Sequence, residues 1–420
     1  MATPEKKYVK LYKFLAFTTF NTVIFIVVVN LLLGAVFLVR DSLKKPHTRV
    51  SSYRMDFADL DAYRRISASD ANQFLDEQES MSNIGFQYEP WVQFRNPEFH
   101  GKFLNTDNRG FRKTREPQKR EGKPANVYVF GGSTTFGYGV PDDHTIPSYI
   151  QAVLEQKYPD RPVLVKNFGQ GYYYSSQEML LLVSLIKNGD IPDSIVFIDG
   201  INDSPQLAPK RDEPFFTHTI KRLWDARRGV AEPVNVEKGP SWIPMIRLAN
   251  SMSAKLLPEK EDQANEDLGS PDRRRFHSDE GFTKEDIESM ADYVVSRYAT
   301  NMNLVRALCK DKGIECLFVW QPHPGYKYDR SLHKKFPFKG EVPTYLKIVY
   351  SRMEAYKADD YLFLGDLLEK AASKVYVDDV HYNEDVNELI AQKICALLKL
   401  NQKENVNRPK LDKSLPEVSH

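Results

Sequence analysis

Residues 126–139 read Asn-Val-Tyr-Val-Phe-Gly-Gly-Ser-Thr-Thr-Phe-Gly-Tyr-Gly, and this stretch predicts the centre of the fold. The run from Val127 to Phe130 is apolar and rich in β-branched and aromatic residues, which is typical of a buried strand. Two glycines end the run and Ser133 follows. A serine placed where a buried strand stops lies at the sheet edge at which open α/β sheets bind ligands. Ser133 is therefore a candidate nucleophile, provided that the rest of the chain supplies its partners.

Strand-like and helix-like segments alternate along the chain on the C-terminal side of this stretch. The predicted strands are 127–130, 163–165, 195–198, 316–320 and 361–364, and the predicted helices are 145–158, 175–185, 283–312 and 384–398. The third helix has Thr283 and Asp286 at the spacing of a capping box. Such alternation indicates βαβ crossovers and a parallel sheet. We expect a three-layer α/β/α domain with a five-stranded parallel sheet.

Composition excludes several classes of protein. The 420 residues carry a net charge of +1, so the chain as a whole is not typical of a nucleic-acid binder. An aromatic content of 12% favours a folded body over a disordered one. The three cysteines, Cys309, Cys316 and Cys395, form no disulfide framework and lack metal-ligand spacing.

The N-terminal region contains a candidate membrane span. Residues 14–39 carry no charged side chain and are rich in Phe, Val, Ile and Leu. A helix of this length exceeds the roughly 30 Å hydrocarbon core and is longer than a signal-peptide core of about 7–15 residues. We predict an uncleaved signal anchor that leaves residues 1–13 in the cytoplasm. Basic residues flank both ends almost equally, so the charge pattern alone leaves the orientation open.

The rest of the chain divides by composition. Residues 40–125 are polar and interrupted by Pro and Gly, with a helix-like stretch near 58–78, and are predicted to be a lead-in against the main domain at 126–400. Within the lead-in, the basic run 112–123 is predicted to be a solvated connector. Residues 204–282 break the strand–helix alternation and predict an insertion, either a lid or a partner surface. Residues 401–420 predict a disordered tail.

A nucleophilic serine needs a base, an orienting carboxylate and donors for the oxyanion. Asp378 and His381 lie three residues apart just before the last helix, so the carboxylate can orient the imidazole as the base; a surface Asp/His pair is the alternative. Asn202 follows the third strand, where its amide can donate to an oxyanion or serve an ordinary turn. Residues 167–171, Asn-Phe-Gly-Gln-Gly, follow the second strand and offer a glycine N–H as another donor.

Other assignments fit the motifs less well. The glycines around Ser133 are followed by no lysine, so a nucleotide-binding P-loop does not fit. No G-x-S-x-G surrounds Ser133, which argues against an α/β-hydrolase elbow. His323, after the fourth strand, is either a substrate contact or a structural loop histidine.

The combination of Ser133, Gly171, Asn202 and His381, each after its own strand or in the last loop, resembles the four sequence blocks of the SGNH/GDSL hydrolases. The resemblance covers about 126–398 without the insertion, and the lead-in around 105–112 is similar to that of membrane-anchored members that modify envelope polymers or lipids. It implies an SGNH-hydrolase fold, which is flavodoxin-like. One departure is Gly132, which occupies the position of the acid in the eponymous motif.

By that resemblance, Ser133 is the nucleophile, His381 the base and Asp378 its orienting partner, while Gly171 and Asn202 form the oxyanion hole. Gly169 and Tyr172 remain alternative donors. The implied activity is ester hydrolysis or O-acyl transfer on an acylated envelope glycan or lipid, without cofactor or metal. The domain is then expected in the periplasm or outside the cell, with a membrane-protein partner possible. The alternative is a non-catalytic binding or scaffold subunit of a membrane complex.

Overall fold

The computed structural model describes residues 4–43, 58–204, 244–245, 248, 282–334, 336–337 and 341–400. The predicted tail at 401–420 and almost all of the predicted insertion at 204–282 lie outside the described residues. The described chain contains two units, one that includes the N-terminal helix and one that contains the α/β domain. Each unit is described separately below.

The α/β domain is built on a five-stranded sheet, which confirms the predicted one. Its strands are β5 (Ala125–Gly131), β6 (Val163–Asn167), β7 (Ser194–Asp199), β8 (Glu315–Trp320) and β9 (Tyr361–Phe363). All four neighbouring pairs are parallel, and the spatial order is β6-β5-β7-β8-β9. This is the flavodoxin-like order, in which the chain reverses direction across the sheet between β5 and β7. Ligands of such sheets bind beyond the carboxyl ends of the strands at this point.

Helices cover both faces of the sheet. The described helices of this domain are α2 (Ala68–Ile84), α3 (Ser133–Phe136), α4 (Ile146–Lys157), α5 (Ser175–Lys187), α6 (Lys284–Lys312), α7 (Thr344–Ala355) and α8 (Glu384–Leu397). Side chains of β5 alternate between two cores, with Tyr128 and Phe130 on the side of α5, α6 and α7, and Val127 and Val129 on the side of α4 and α8. The alternation follows from the two-residue period of a strand. The fold is therefore the expected three-layer α/β/α sandwich.

Helix starts follow local capping chemistry. The Thr283 side chain accepts from the Asp286 N–H while the Asp286 side chain accepts from the Thr283 N–H, so the predicted capping box is confirmed. Thr145 caps α4 in the same manner, with its side chain accepting from the Ser148 N–H. These residues satisfy backbone N–H groups that have no partner within the helix.

The lead-in packs on the α/β domain, but its predicted helix is wrong at the N-terminal end. A 3-10 turn at Leu60–Ala62 comes first, and α2 begins only after Ser67, whose side chain accepts from the Asp70 N–H. Between α2 and β5 lie two antiparallel pairs of short strands, β1 (Gln87–Glu89) with β2 (Gln93–Arg95) and β3 (Phe99–His100) with β4 (Asn105–Thr106).

The N-terminal helix α1 spans Pro4–Leu43. Within it, Tyr8–Leu38 is a 31-residue apolar segment that contains an 18-residue window with a mean hydropathy of 2.5, and most of its described side chains are exposed. A helix of this length is sufficient to cross a bilayer. The predicted apolar helix is confirmed, whereas its insertion and orientation remain predictions.

Candidate active site

The backbone at the end of β5 presents Ser133 at the sheet edge. Strand β5 ends at Gly131, Gly132 is the N-cap of α3, and Ser133 is the first residue of that short helix. The turn closes with the Gly137 N–H donating to the Ser133 carbonyl at 2.9 Å, where Gly137 has φ +96° and ends the helix in the left-handed region. Ser133 is half-buried, so its hydroxyl is fixed by the turn but not sealed in the core.

Ser133, His381 and Asp378 form one hydrogen-bonded chain. The Ser133 Oγ lies 2.7 Å from His381 Nε2, and His381 Nδ1 lies 2.7 Å from Asp378 Oδ2 and 2.9 Å from Asp378 Oδ1. The backbone N–H groups of Val380 and His381 also donate to Asp378 Oδ1 at 2.9 and 2.8 Å. Backbone N–H groups of the loop thus fix the Asp378 carboxylate, and the carboxylate in turn orients the His381 imidazole. This geometry matches the requirements of a nucleophile, a base and an orienting group.

The environment of His381 changes its acid–base behaviour. Burial lowers the pKa of His381, but the nearby charge of Asp378 and the hydrogen bond to it outweigh burial, and the Asp379 charge acts in the same direction. The net effect is a pKa raised above the ordinary value of about 6.5. A raised pKa makes the imidazole a stronger proton acceptor from a serine hydroxyl.

Asn202 reaches the site from the turn after β7. Its Nδ2 donates one N–H to the Tyr173 carbonyl at 2.7 Å, which leaves the second N–H of the amide for another acceptor. The same nitrogen lies against the Cα of Gly132, so closely that a Cβ built at Gly132 would overlap it. The absence of a side chain at 132 therefore leaves room for the Asn202 amide to lie against the residue that precedes Ser133.

The candidate oxyanion donors Gly169, Gly171 and Tyr172 differ in whether their N–H groups are already used. The Gly169 N–H donates to Asn167 Oδ1 at 2.9 Å, and Gly169 packs directly on the backbone of Thr135 and Phe136, where a Cβ would overlap. Its N–H is therefore already used. The Gly171 N–H makes no hydrogen bond within the described part of the chain. Tyr172 has φ +66°, an unusual value for a residue with a bulky side chain.

A polar network under Ser133 was not predicted from the sequence. Thr134 Oγ1 donates to Gln321 Oε1 at 2.7 Å, and Tyr382 Oη, which donates to the Pro322 carbonyl, lies 3.2 Å from the same Gln321 oxygen. Gln321 thereby joins the residue after the nucleophile to the residue after the base. Its position directly after β8 was the available signal. The neighbouring His323 is buried, and its Nδ1 accepts from the Gly325 N–H at 2.9 Å, as a structural loop histidine would.

The lead-in supports the loop that follows the nucleophile. Tyr63 Oη donates to the Gly139 carbonyl at 2.6 Å, and the Gly139 N–H donates to Gln78 Oε1 at 2.9 Å. The prediction of a solvated connector is wrong at Arg112, whose buried guanidinium donates to the carbonyls of Gly137 and Val140 at 2.7 and 2.9 Å. A buried arginine is stable there because carbonyls and the Asp142 carboxylate, 2.7 Å away, accept its protons.

Among the described residues, one group of side chains has metal-ligand spacing. Asp378, Asp379 and His381 place ligand atoms within 4.8 Å of one another. The two nitrogens of His381 are already hydrogen-bonded to Ser133 and Asp378, so an ion bound through either nitrogen would have to displace these contacts. The arrangement fits proton transfer better than metal binding.

Comparison with known proteins gives limited information. No protein-family model and no curated protein matches the sequence. Solved structures with a likeness include a member of the lipolytic G-D-S-L family from Veillonella parvula DSM 2008, at 13% identity and a TM-score of 0.33 over 64% of this chain and 96% of that one. An acetyl xylan esterase, AlAXEase, matches at 15% identity and 0.33, over 65% and 100% of the two chains. The lipase Lip_vut3 from a goat rumen metagenome matches at 12% identity and 0.34, over 66% and 99%. The fold itself is established by the strand order of the sheet.

Proposed function

We propose that this protein is a serine-dependent esterase or O-acyltransferase that uses Ser133 as its nucleophile. The observation that carries the proposal is the continuous hydrogen-bonded chain from Ser133 Oγ through His381 to Asp378. It lies beyond the carboxyl ends of β5 and β7, where a doubly wound sheet binds its ligand. In that position the three side chains can act as nucleophile, base and orienting carboxylate, the roles that acyl transfer requires.

The first half of the reaction forms an acyl-enzyme. Ser133 Oγ attacks the ester carbonyl while His381 Nε2 accepts the hydroxyl proton, and Asp378 stabilises the imidazolium that results. The carbonyl oxygen becomes an oxyanion, which receives hydrogen bonds from the Ser133 and Gly171 N–H groups and the Asn202 amide. His381 then returns its proton to the alcohol oxygen as the ester C–O bond breaks.

The second half releases the acyl group. A water or an acceptor hydroxyl attacks the acyl-enzyme, and His381 removes its proton before returning it to Ser133. Hydrolysis and transfer share every residue up to this point, so they differ only in which nucleophile enters. Incubation with an acyl donor and a glycan acceptor distinguishes them, since hydrolysis yields only free acid and transfer yields acylated glycan.

We infer that α1 anchors the protein in a membrane and that the α/β domain faces the periplasm or the cell exterior. The length and apolar character of Tyr8–Leu38 support the anchor. The resemblance of the sequence to envelope-modifying SGNH hydrolases supports the orientation and an acylated glycan or lipid as substrate. A membrane-protein partner that supplies the acyl group fits a transferase.

Substitution of the nucleophile tests the proposal. Ser133→Ala is expected to lose turnover of an activated ester such as p-nitrophenyl acetate, because the acyl-enzyme forms on the Ser133 hydroxyl. Ser80→Ala is the matched control, because Ser80 is exposed on α2 and donates only to a carbonyl of its own helix. Turnover by Ser133→Ala at the wild-type rate would refute the proposed function.

A further inference from the structure

A buried polar cluster lies behind the turn that carries Asn202. Glu178 of α5, Asp199 at the end of β7 and Asp203 are all almost completely buried, as are Arg297 and Tyr298 of α6. Within the described residues, Arg297 is the basic side chain of this cluster, facing three carboxyl groups. Buried charges are costly unless paired, so the pairing within the cluster has to be specific.

One nitrogen of Arg297 contacts two oxygen atoms of Asp203. Its Nη2 donates to the backbone carbonyl of Asp203 at 2.9 Å and lies 3.2 Å from Asp203 Oδ1. The guanidinium also lies 4.9 Å from the centre of the Tyr174 ring. A bond to the main chain fixes the path of the backbone as well as the orientation of the side chain. Because Asp203 directly follows Asn202, this contact limits where Asn202 can be.

The start of α5 holds the same turn from the other side. Ser175 Oγ donates to Asp203 Oδ1 at 2.6 Å, and the Tyr173 carbonyl accepts from Asn202 at 2.7 Å. Asn301, one helical turn beyond Arg297 on α6, donates to Ser175 Oγ at 2.9 Å. The turn is therefore fixed by α5 and α6 together.

The other two acids of the cluster, Glu178 and Asp199, have raised pKa values, which bears on which acid pairs with Arg297. Burial, reinforced by the charges of Asp199 and Asp203, raises the pKa of Glu178 well above its ordinary range. Burial and the charge of Asp203 likewise raise the pKa of Asp199, although Arg297 acts in the opposite direction. Both shifts favour the neutral acids, and the carboxylate that lies within 3.2 Å of the guanidinium is that of Asp203.

We propose that Arg297, acting through Asp203, is a positioning residue that holds the Asn202 amide where it can bind the oxyanion. The inference rests on the proposed function, since it assigns Arg297 a part in that reaction. Arg297 touches neither Ser133 nor His381 through any described contact. Its effect on catalysis must therefore pass through Asn202.

A double-mutant cycle on kcat tests this coupling. Arg297→Gln, Asn202→Ala and the double variant are compared in the full-length protein with p-nitrophenyl acetate. Asn202→Ala is expected to lower kcat about 10²–10³-fold, as loss of one oxyanion donor does. We expect Arg297→Gln to lower kcat with little change in KM, and to add less than about threefold once Asn202 is Ala. Equal losses in both backgrounds, or no loss in the wild-type background, would overturn the proposal.

Two further variants separate positioning from stability. Arg306→Gln is the control on the same helix, because Arg306 pairs with Asp360 by two 2.7 Å contacts at a partly exposed position. It is expected to lower Tm without lowering kcat. If Arg297→Gln does not fold, Ser175→Ala replaces it in the same cycle, since it removes one hydrogen bond to Asp203 and leaves the ion pair in place. Its kcat loss is expected only when Asn202 is present, and a loss in both backgrounds would again contradict the proposal.

The outcomes also separate this inference from the proposed function. Active Ser133→Ala in the same assay would refute the function itself. Inactive Ser133→Ala combined with an Arg297 effect that persists without Asn202 would refute only the positioning role. Restoration of part of kcat in Arg297→Lys, which keeps the charge but has no planar guanidinium, would support a role for the ion pair in holding the turn.

Discussion

The contact between Gly132 and Asn202 leads to a specific prediction for Gly132→Ala. The backbone of Gly132 has φ −80° and ψ −150°, in the extended region, so an alanine meets no strain at this position from φ. The new methyl group instead overlaps the Asn202 Nδ2 and approaches the Tyr173 carbonyl to 3.0 Å. The backbone carbonyl cannot yield as easily as the amide. We therefore expect the Asn202 side chain to move away from Ser133.

The expected loss of kcat follows from displacement of the Asn202 amide. If the methyl group removes the Asn202 donor, kcat falls about 10²–10³-fold, or about 3–4 kcal/mol of transition-state stabilisation. The assay is steady-state hydrolysis of p-nitrophenyl acetate by Gly132→Ala, Asn202→Ala and the double variant. The double variant should be no slower than the slower single variant, because both changes remove the same hydrogen bond.

A matched control lies at another glycine. Gly189 has a positive φ of +81° but open space where a Cβ would be, so Gly189→Ala perturbs only the backbone, at the end of α5. It is expected to lower Tm and leave kcat unchanged. Full activity in Gly132→Ala, or losses that multiply with those of Asn202→Ala, would refute the steric reasoning.

The remaining predictions concern two histidines. Asp378→Asn is expected to lower kcat about 10⁴-fold by favouring the wrong imidazole tautomer, measured by the same ester assay, with Asp379→Asn as the neighbouring control. In the wild type, kcat/KM should rise with pH through the pKa of His381, which lies above 6.5, because only the neutral imidazole accepts the serine proton; in Asp378→Asn this limb should move to lower pH. Burial lowers the pKa of His333 to about 4, so the unfolded chain binds this proton at higher pH than the folded one. Stability should therefore fall from pH 6.5 towards 4 by about 3 kcal/mol at most, and His333→Phe should remove that fall in chemical denaturation; an unchanged pH dependence would contradict it.

Most of the sheet was predictable from the sequence because its strands are fully buried. Strand β7, Ser194–Asp199, is buried along its whole length, so its apolar run and the glycine after it are clear signals. The helix α6 was predicted because its Thr283 and Asp286 cap lies within four residues. Both signals come from residues that are close together in the sequence, so they can be recognised without knowledge of the fold.

Elements that depend on contacts between distant residues were not predicted. The helix α7, Thr344–Ala355, has no side-chain cap, and its buried side chains pack with those of α6 in the core that contains Tyr128 and Phe130. The short strands β1–β4 have two or three residues each, too few for an alternating pattern. Arg112 resembled a solvated basic residue because its acceptors, Gly137 and Val140, are 25 and 28 residues away in sequence.

The same distinction applies to the candidate site. Ser133 and Asn202 each follow a predicted strand and His381 directly precedes the last predicted helix, so their convergence could be expected from the order of these elements. The sequence left Gly169, Gly171 and Tyr172 as alternative donors, and the structure argues against Gly169, whose N–H already donates to Asn167 Oδ1. The support from Gln321, Arg112 and Arg297 could not be predicted, since it depends on which side chains face one another across packed helices and loops.

Reaction with a fluorophosphonate probe tests the central claim most directly. The probe phosphonylates a serine hydroxyl that a neighbouring base activates, and peptide mass spectrometry identifies the modified residue. We expect a label on Ser133 of the folded protein, lost in Ser133→Ala and strongly reduced in His381→Ala, with no label after denaturation. A folded protein that carries no label at Ser133 would contradict it and favour a non-catalytic binding role.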